Sequence, residues 1–320
     1  MKKELTKKVL TIIPFFLILA LVLALLSYLF MPSKSEKREI RDVIPNGLLA
    51  EEDNTIDVLF YGDSEAYTTF SPMQMWDEKG FSSFVCATSS QYISLTESFV
   101  HQSFEHQKPK VIVLEPYCFF RKMKADNSLI TNIENTFSII QYHNRWKNML
   151  GLRLNDKQQY TWKDELKGFK VSKTVTKAKG GDYMKQTDKT TEIPKANIET
   201  VKRIVKYCND RGTAVLFVST PSCKNWNYSK HTAVAELAKE AGVCYLDLNM
   251  EKSVGIDWRK DSLDGGDHLN FRGAKKVCTF LGQYLSDTYH LENKKGLARY
   301  SDWNEGVEKY RLLVSENENG

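Results

Sequence analysis

The longest uninterrupted apolar stretch lies near the amino terminus. From Val9 to Met31 the chain reads VLTIIPFFLILALVLALLSYLFM, 23 residues without a charge. At about 1.5 Å per residue a helix over it spans roughly 35 Å, enough to cross a hydrocarbon core of about 30 Å. A cleaved signal would have a shorter apolar core and a small-x-small exit, whereas this one leaves through Ser-Tyr-Leu-Phe-Met. The pattern predicts an uncleaved transmembrane anchor over 9–31 behind a short tail, 1–8. Pro14 lies near one end of it, where a freed carbonyl costs less than at the centre.

Beyond a polar stretch over 32–54, read as a stalk, the pattern changes to short apolar runs separated by helical periodicity. Ile56–Gly62, Phe81–Ala87, Lys110–Glu115, Thr213–Ser219 and Val243–Leu248 read as buried strands. Apolar positions at helical spacing fall between Gln91 and Gln107, over 196–211 and 229–241, and from Phe271 to about Ser286. Gly212 and Gly242 serve as stops and Asn270 as a cap. Alternating strands and helices predict an α/β fold, a three-layer α/β/α open sheet of about five parallel strands, over 55–290. In such sheets ligands gather beyond the carboxyl ends of the strands.

Two segments stand outside this rhythm. Residues 143–195 are polar, with isolated aromatics at Trp146, Tyr160, Trp162, Phe169 and Tyr183, and interrupt the crossover between the third and fourth strands. A loop this long inside a domain is usually functional or disordered. It is read either as a solvated loop or as a lid whose aromatics face a sugar. Residues 291–320 read as a polar tail without a clear fold.

Charge narrows the partners. Four Lys and one Glu in the first eight residues supply +3 of the net +5, so the remainder carries only +2. No basic stripe interleaved with aromatics is present, and nucleic acid is not an expected partner. Lys2, Lys3, Lys7 and Lys8 precede the span while Lys34, Lys37, Arg38 and Arg41 follow it. The tie is broken by the terminal amine and the shortness of the tail, which favour a cytoplasmic amino terminus, a single pass and an extracellular body. The six cysteines form no CxxC or Cys/His metal spacing, so neither a metal nor a cofactor is expected. They are read as small buried hydrophobes, a disulfide between Cys118 and Cys223 remaining open.

The candidate chemistry sits at two strand ends. The first strand runs into Tyr61-Gly62-Asp63-Ser64-Glu65, which places a serine hydroxyl where an α/β sheet can present a nucleophile. That hydroxyl needs a base within hydrogen-bond reach. The candidate base is His268, 204 residues later in DSLDGGDHLNFRG, on the loop after the fifth strand. Strand-end loops of one parallel sheet meet at one edge, so the two can converge. Asp264 and Asp267 flank this histidine alone among the six, and a carboxylate is what sets an imidazole's tautomer.

A strand-terminal Gly-Asp-Ser paired with a late Asp-His-Leu-Asn-x-x-Gly resembles the SGNH (GDSL-type) hydrolase superfamily, over roughly residues 55–286. With its anchor the chain is similar to membrane-tethered members that assist envelope acylation, the DltD-like and AlgJ/AlgX-like proteins. The resemblance implies a flavodoxin-like sheet and an acyl-enzyme formed on Ser64 with His268 as base. It implies a bilayer-anchored esterase or acyltransferase acting on a cell-envelope glycan or teichoic acid, beside a polytopic membrane-bound O-acyltransferase. The family's Asp stands three residues before the His, where this chain has Gly265. Asp264 is therefore preferred as the partner, with Asp267 retained. The Gly and Asn that complete the family's oxyanion hole are missing from Cys86–Tyr92 and Leu114–Phe120. Ser89, Ser90 and Gln91 are the expected substitutes beside the Ser64 N–H. A non-catalytic scaffold of the same fold, binding a glycan or an acyltransferase, is the competing reading.

Overall fold

The computed structural model describes residues 2–30, 47–122 and 163–315. The chain divides into two units, Met1–Ile40 with Met123–Trp162, and Arg41–Lys122 with Lys163–Gly320. In the first unit the described part is one helix, α1 (Lys2–Phe30). Its stretch Ile12–Leu29 has a mean hydropathy of 2.8 and no buried residue, so it is long and apolar enough to cross a membrane.

The second unit is built on five parallel strands, β1 (Val58–Gly62), β2 (Ser83–Ala87), β3 (Val111–Leu114), β4 (Ala214–Ser219) and β5 (Cys244–Asp247). Their order is β2-β1-β3-β4-β5. Each expected strand is present, trimmed by one or two residues at its ends. The helices are α2 (Ser64–Thr69), α3 (Pro72–Lys79), α4 (Ile93–His106), α5 (Lys195–Asn209), α6 (Tyr228–Ala241), α7 (Phe271–Tyr289) and α8 (Ser301–Ser315).

Alternate strand residues feed two cores. Leu59, Tyr61, Phe84, Ile112, Leu114, Val215 and Phe217 pack on one face with α4, α5 and α6. Val58, Phe60, Val85, Val111, Val113, Leu216 and Val218 pack on the other with α7. Burial on both faces is why these strands read as continuous apolar runs rather than as alternating ones. The chain turns from one side of β1 to the other between β2 and β3. The carboxyl end of β1, next to β3, is therefore the topological switch point, where open sheets leave a crevice.

Two expectations about the periphery change. Residues 47–54 belong to the folded unit. A 3-10 turn at Gly47–Ala50 buries Leu48, and buried Glu51 accepts from Lys167 Nζ at 2.6 Å. The carboxyl-terminal segment is also folded. It forms α8, which buries Trp303, Val307 and Tyr310 against Trp76 and Tyr300. Those residues sit at i, i+4 and i+7, one stripe of the helix, with polar residues between them and Leu312 and Leu313 exposed near its end. The charges between them mask the stripe in the sequence.

Of the expected lid, 143–162 lies outside the described residues. Residues 163–194 run mainly as an extended strap. Its Lys167 O accepts from Val85 N at the sheet edge, its Lys170 N donates to Tyr67 O, and its Ser172 O accepts from Phe271 N. It then reaches Ser262 O through Thr176 N and Trp258 O through Ala178 N. The strap thus follows the edge where the strands end. Its aromatics turn inward: Phe169 is buried, and Tyr183 donates to Asn249 while lying edge-on to Trp258. Neither is presented to a sugar. All six cysteines are free thiols, and Cys86, Cys118, Cys208 and Cys278 are buried.

Candidate active site

Position 62 must be glycine for steric reasons. A Cβ there would lie 2.7 Å from the Glu115 Cβ and 2.8 Å from the Ala66 Cβ, closer than carbon atoms approach. This lets β1 turn at once into α2. Asp63 caps that helix, its Oδ1 accepting from Glu65 N at 3.0 Å, and its Oδ2 receives Arg121 Nη2 at 2.6 Å and Nε at 3.2 Å. Ser64 is consequently the first residue of α2, partly exposed at the switch point.

His268 arrives from the opposite side of the crevice. Gly265 and Gly266 have φ of +80° and +93°, which only glycine adopts without strain, and they fold the loop back on itself. Ser262 Oγ accepts from Gly266 N, Leu263 N donates to His268 O, and Thr176 O accepts from Gly265 N. In this turn Asp264 meets His268 twice. Its Oδ1 accepts from the His268 N–H at 2.8 Å, and its Oδ2 lies 2.7 Å from Nδ1. Nε2 lies 2.8 Å from Ser64 Oγ. With Nδ1–H donating to the carboxylate, Nε2 is left to accept the serine proton, which is the orientation a general base needs.

Asp267 plays a different part. It stands 3.7 Å from Nδ1, and its oxygens are engaged by Lys224 and by the Asn225 side-chain amide. The same amide donates to Glu65 Oε1 at 3.2 Å. Asn225 therefore ties the helix carrying Ser64 to the loop carrying His268. Ser222 reinforces the tie by donating to Asp267 O at 2.7 Å. Asn225 and Arg121 carry no motif, and only their neighbours in the folded chain identify them.

The floor beneath Ser64 is rich in carboxyl groups. Glu65 is 2% exposed, and its Oε2 has no partner among the described residues. Burial raises its pKa well above the ordinary 4.5, with Asp63 and Glu115 adding to the effect. Glu115 is likewise raised by burial and by Asp63. A neutral Glu65 avoids a third negative charge beside Asp63, which Arg121 already neutralises. Lys230, half-buried over the Tyr117 and Phe120 rings, has its pKa lowered by that burial.

The residues expected to complete an oxyanion hole separate. Ser89 and Ser90 are exposed, Ser90 at φ +57°. Gln91 is buried and its amide serves its own turn. Oε1 accepts from Thr88 N at 2.8 Å and from Thr88 Oγ1, while Nε2 donates to Thr96 Oγ1 at 2.8 Å. One of its two side-chain N–H donors is thereby held by Thr96. Glu65, Asp267 and His268 bring ligand atoms within 4.8 Å of one another. Asn225 and Ser64 hydrogen-bond to these groups.

No protein-family model matches the chain, and no curated protein matches it in sequence. Among solved structures it is similar to a GDSL-like lipase from Bacteroides thetaiotaomicron VPI-5482, at 9% identity and a TM-score of 0.38, over 75% of this chain and 94% of that one. It is also similar to a two-domain esterase active on acetylated mannans and co-crystallized with mannopentaose, at 12% identity and a TM-score of 0.39, over 82% of this chain and 56% of that one. At these scores the overlap is loose, and the side chains around Ser64 decide the chemistry.

Proposed function

We propose that this protein is a membrane-anchored serine esterase or O-acyltransferase acting outside the cytoplasm on a cell-envelope or exported polysaccharide. One observation carries the reading. Ser64 Oγ, His268 Nε2 and Nδ1, and Asp264 Oδ2 form a continuous chain at 2.8 and 2.7 Å, although 204 positions separate serine from histidine. In the first step the Ser64 oxygen bonds to an ester carbonyl carbon while its proton passes to His268 Nε2. Asp264 stabilises the resulting imidazolium. As the tetrahedral species collapses, the leaving alcohol takes that proton and an acyl-enzyme remains. Water resolves it in an esterase, and a polysaccharide hydroxyl does so in a transferase, with His268 again removing the proton.

The anchor and the near-neutral body support an envelope setting, with a polytopic O-acyltransferase as the source of acyl groups. The missing Gly and Asn of the resembled family favour a second reading, a scaffold that holds such a partner without catalysis. Ser64→Ala separates the two. The full chain in detergent should lose labelling by a fluorophosphonate, and cells carrying only this variant should lose envelope acylation. A reporter fused after Gly320 should be active outside the cytoplasm. Full acylation with Ser64→Ala would leave the scaffold.

A further inference from the structure

A buried carboxylate that the proposed reaction does not use lies behind the His268 loop. Asp247 is the last residue of β5, at the carboxyl edge of the sheet, and its side chain is 2% exposed. Its Oδ2 accepts from Trp226 Nε1 at 3.0 Å and from the Tyr245 hydroxyl at 3.1 Å, with His231 Nδ1 at 2.8 Å. Its Oδ1 accepts from the Asn249 main-chain N at 2.9 Å and from Asn249 Nδ2 at 2.8 Å. Two of these partners lead to one segment, 220–226. Asn249 Nδ2 also donates to Thr220 O at 2.9 Å, and Asn249 Oδ1 accepts from Ser222 N at 3.0 Å. Trp226 secures the far end of the segment through its indole. From between these two moorings the segment holds the loop that ends in His268. Ser222 Oγ donates to Asp267 O at 2.7 Å, Lys224 N donates to Gly266 O at 3.0 Å, and Asn225 Nδ2 donates to Asp267 Oδ1 and Glu65 Oε1.

We propose that Asp247 is a positioning residue for His268: it fixes segment 220–226, and that segment holds the loop 262–268 where Nε2 meets Ser64 Oγ. This rests on the Ser64 acyl-transfer reading and extends it to a carboxylate outside the Ser–His–Asp chain. Asp264 sets the tautomer of the imidazole, but it rides on the same loop and cannot aim that loop at α2. The loop itself is pliant, because Gly265 and Gly266 at positive φ give a tight turn without restricting the backbone. Stiffness has to come from outside. The holds fall on the main-chain oxygens of Gly266 and Asp267, directly before His268, so they act on the backbone that carries the ring. Asp247 suits the task because a carboxylate only accepts. An amide in its place has one accepting end and one donating end, so an N–H would oppose either the Trp226 and Tyr245 donors or those of Asn249.

The test is fluorophosphonate labelling of the full chain in detergent, read both as a rate constant and as the final fraction of chains labelled. A misplaced base slows every molecule, whereas partial unfolding lowers the labelled fraction. Asp247→Asn should lower the rate constant about 10²-fold, the scale of a displacement near 1 Å, and leave the final fraction at the parent's value. Should that variant fail to fold, Asn249→Ala carries the test. It cuts the path to Thr220 and Ser222, leaves Trp226, Tyr245 and His231 on Asp247, and should lower the rate constant about tenfold. Ser222→Ala removes the next link, and adding it to Asn249→Ala should deepen the fall less than about threefold, because both act along one path. A rate constant within about threefold of the parent's in either folded variant, or a loss confined to the final fraction, would overturn the proposal. So would single falls that multiply in the double variant. Labelling that survives in Ser64→Ala would instead strike the acyl-enzyme reading itself. Loss of labelling in Ser64→Ala with a parent-like rate in Asn249→Ala would retire Asp247 alone.

Discussion

Replacing Asp264 by Asn tests the orientation of His268 most sharply. The wild-type carboxylate accepts twice, from the His268 N–H at 2.8 Å and opposite Nδ1 at 2.7 Å. Two effects are lost together. The first is the attraction between the carboxylate and the imidazolium of the transition state. At an effective dielectric of about 20 and roughly 4 Å between charge centres it amounts to about 4 kcal/mol. Asp264 is 41% exposed, and solvent screening should halve this to about 2 kcal/mol, or roughly 30-fold in rate. The second effect is the tautomer. An amide N–H turned toward Nδ1 makes that nitrogen an acceptor and puts the proton on Nε2, where it opposes Ser64. Together they should cost up to about 10⁴-fold. Asp264→Ala removes the charge without imposing the wrong tautomer, and Asp267, 3.7 Å from Nδ1, can move in, so its loss should stay near 30- to 100-fold. Asp267→Asn should cost less than about tenfold, because that carboxylate is already held by Lys224 and Asn225. The assay is the pseudo-first-order rate of fluorophosphonate labelling, with folding checked by thermal unfolding. The assignment of Asp264 fails if Asp264→Asn keeps more than a tenth of the rate, or if Asp267→Asn falls as far as Asp264→Asn.

Two further outcomes concern stability. Trp303 packs 5.1 Å from the Trp76 ring centre with the Lys167 ammonium 4.9 Å over its face, so Trp303→Ala should cost about 3–5 kcal/mol in urea unfolding; a shift under about 1 kcal/mol would mean that α8 does not share the core. Glu65 has a folded-state pKa raised above 4.5, so the folded chain binds the extra proton between the two values, and this contribution is complete below pH 4.5 and lost as pH rises through the folded pKa. Glu65→Gln is neutral at every pH, so its thermal midpoint relative to the parent should climb from pH 4.5 upward, and a constant difference would show that Glu65 is ionised in the folded protein.

Much of the architecture was legible in the linear pattern because it depends on local composition. A run of 23 uncharged residues can satisfy its backbone in lipid only as a helix, whatever follows it. Four of the five strands were legible because burial on both faces forces continuous apolar runs, whereas the edge strand β5 is only partly buried. The helices between them then leave few connections for a parallel sheet. Gly62, Ser64 and His268 stood out because a strand end and a Gly-Gly turn are local features. Other features depended on residues far apart in the chain. Whether Asp264 or Asp267 faces Nδ1 turns on how Gly265 and Gly266 fold the loop, and both have left-handed φ values that the letters alone do not set. Gln91 was expected to complete an oxyanion hole, yet its Nε2 donates to Thr96 and its Oε1 accepts from Thr88, a choice made by burial. The helix at 301–315 was hidden because its stripe of Trp303, Val307 and Tyr310 is apolar enough only once Trp76 and Tyr300 are there to receive it. Asn225 lies 160 positions from Glu65 and 42 from Asp267, and Arg121 lies 58 from Asp63. Composition and periodicity record how much surface a segment must bury. Which carboxylate meets which nitrogen is a matter of direction and distance across the crevice, and only the folded chain sets those.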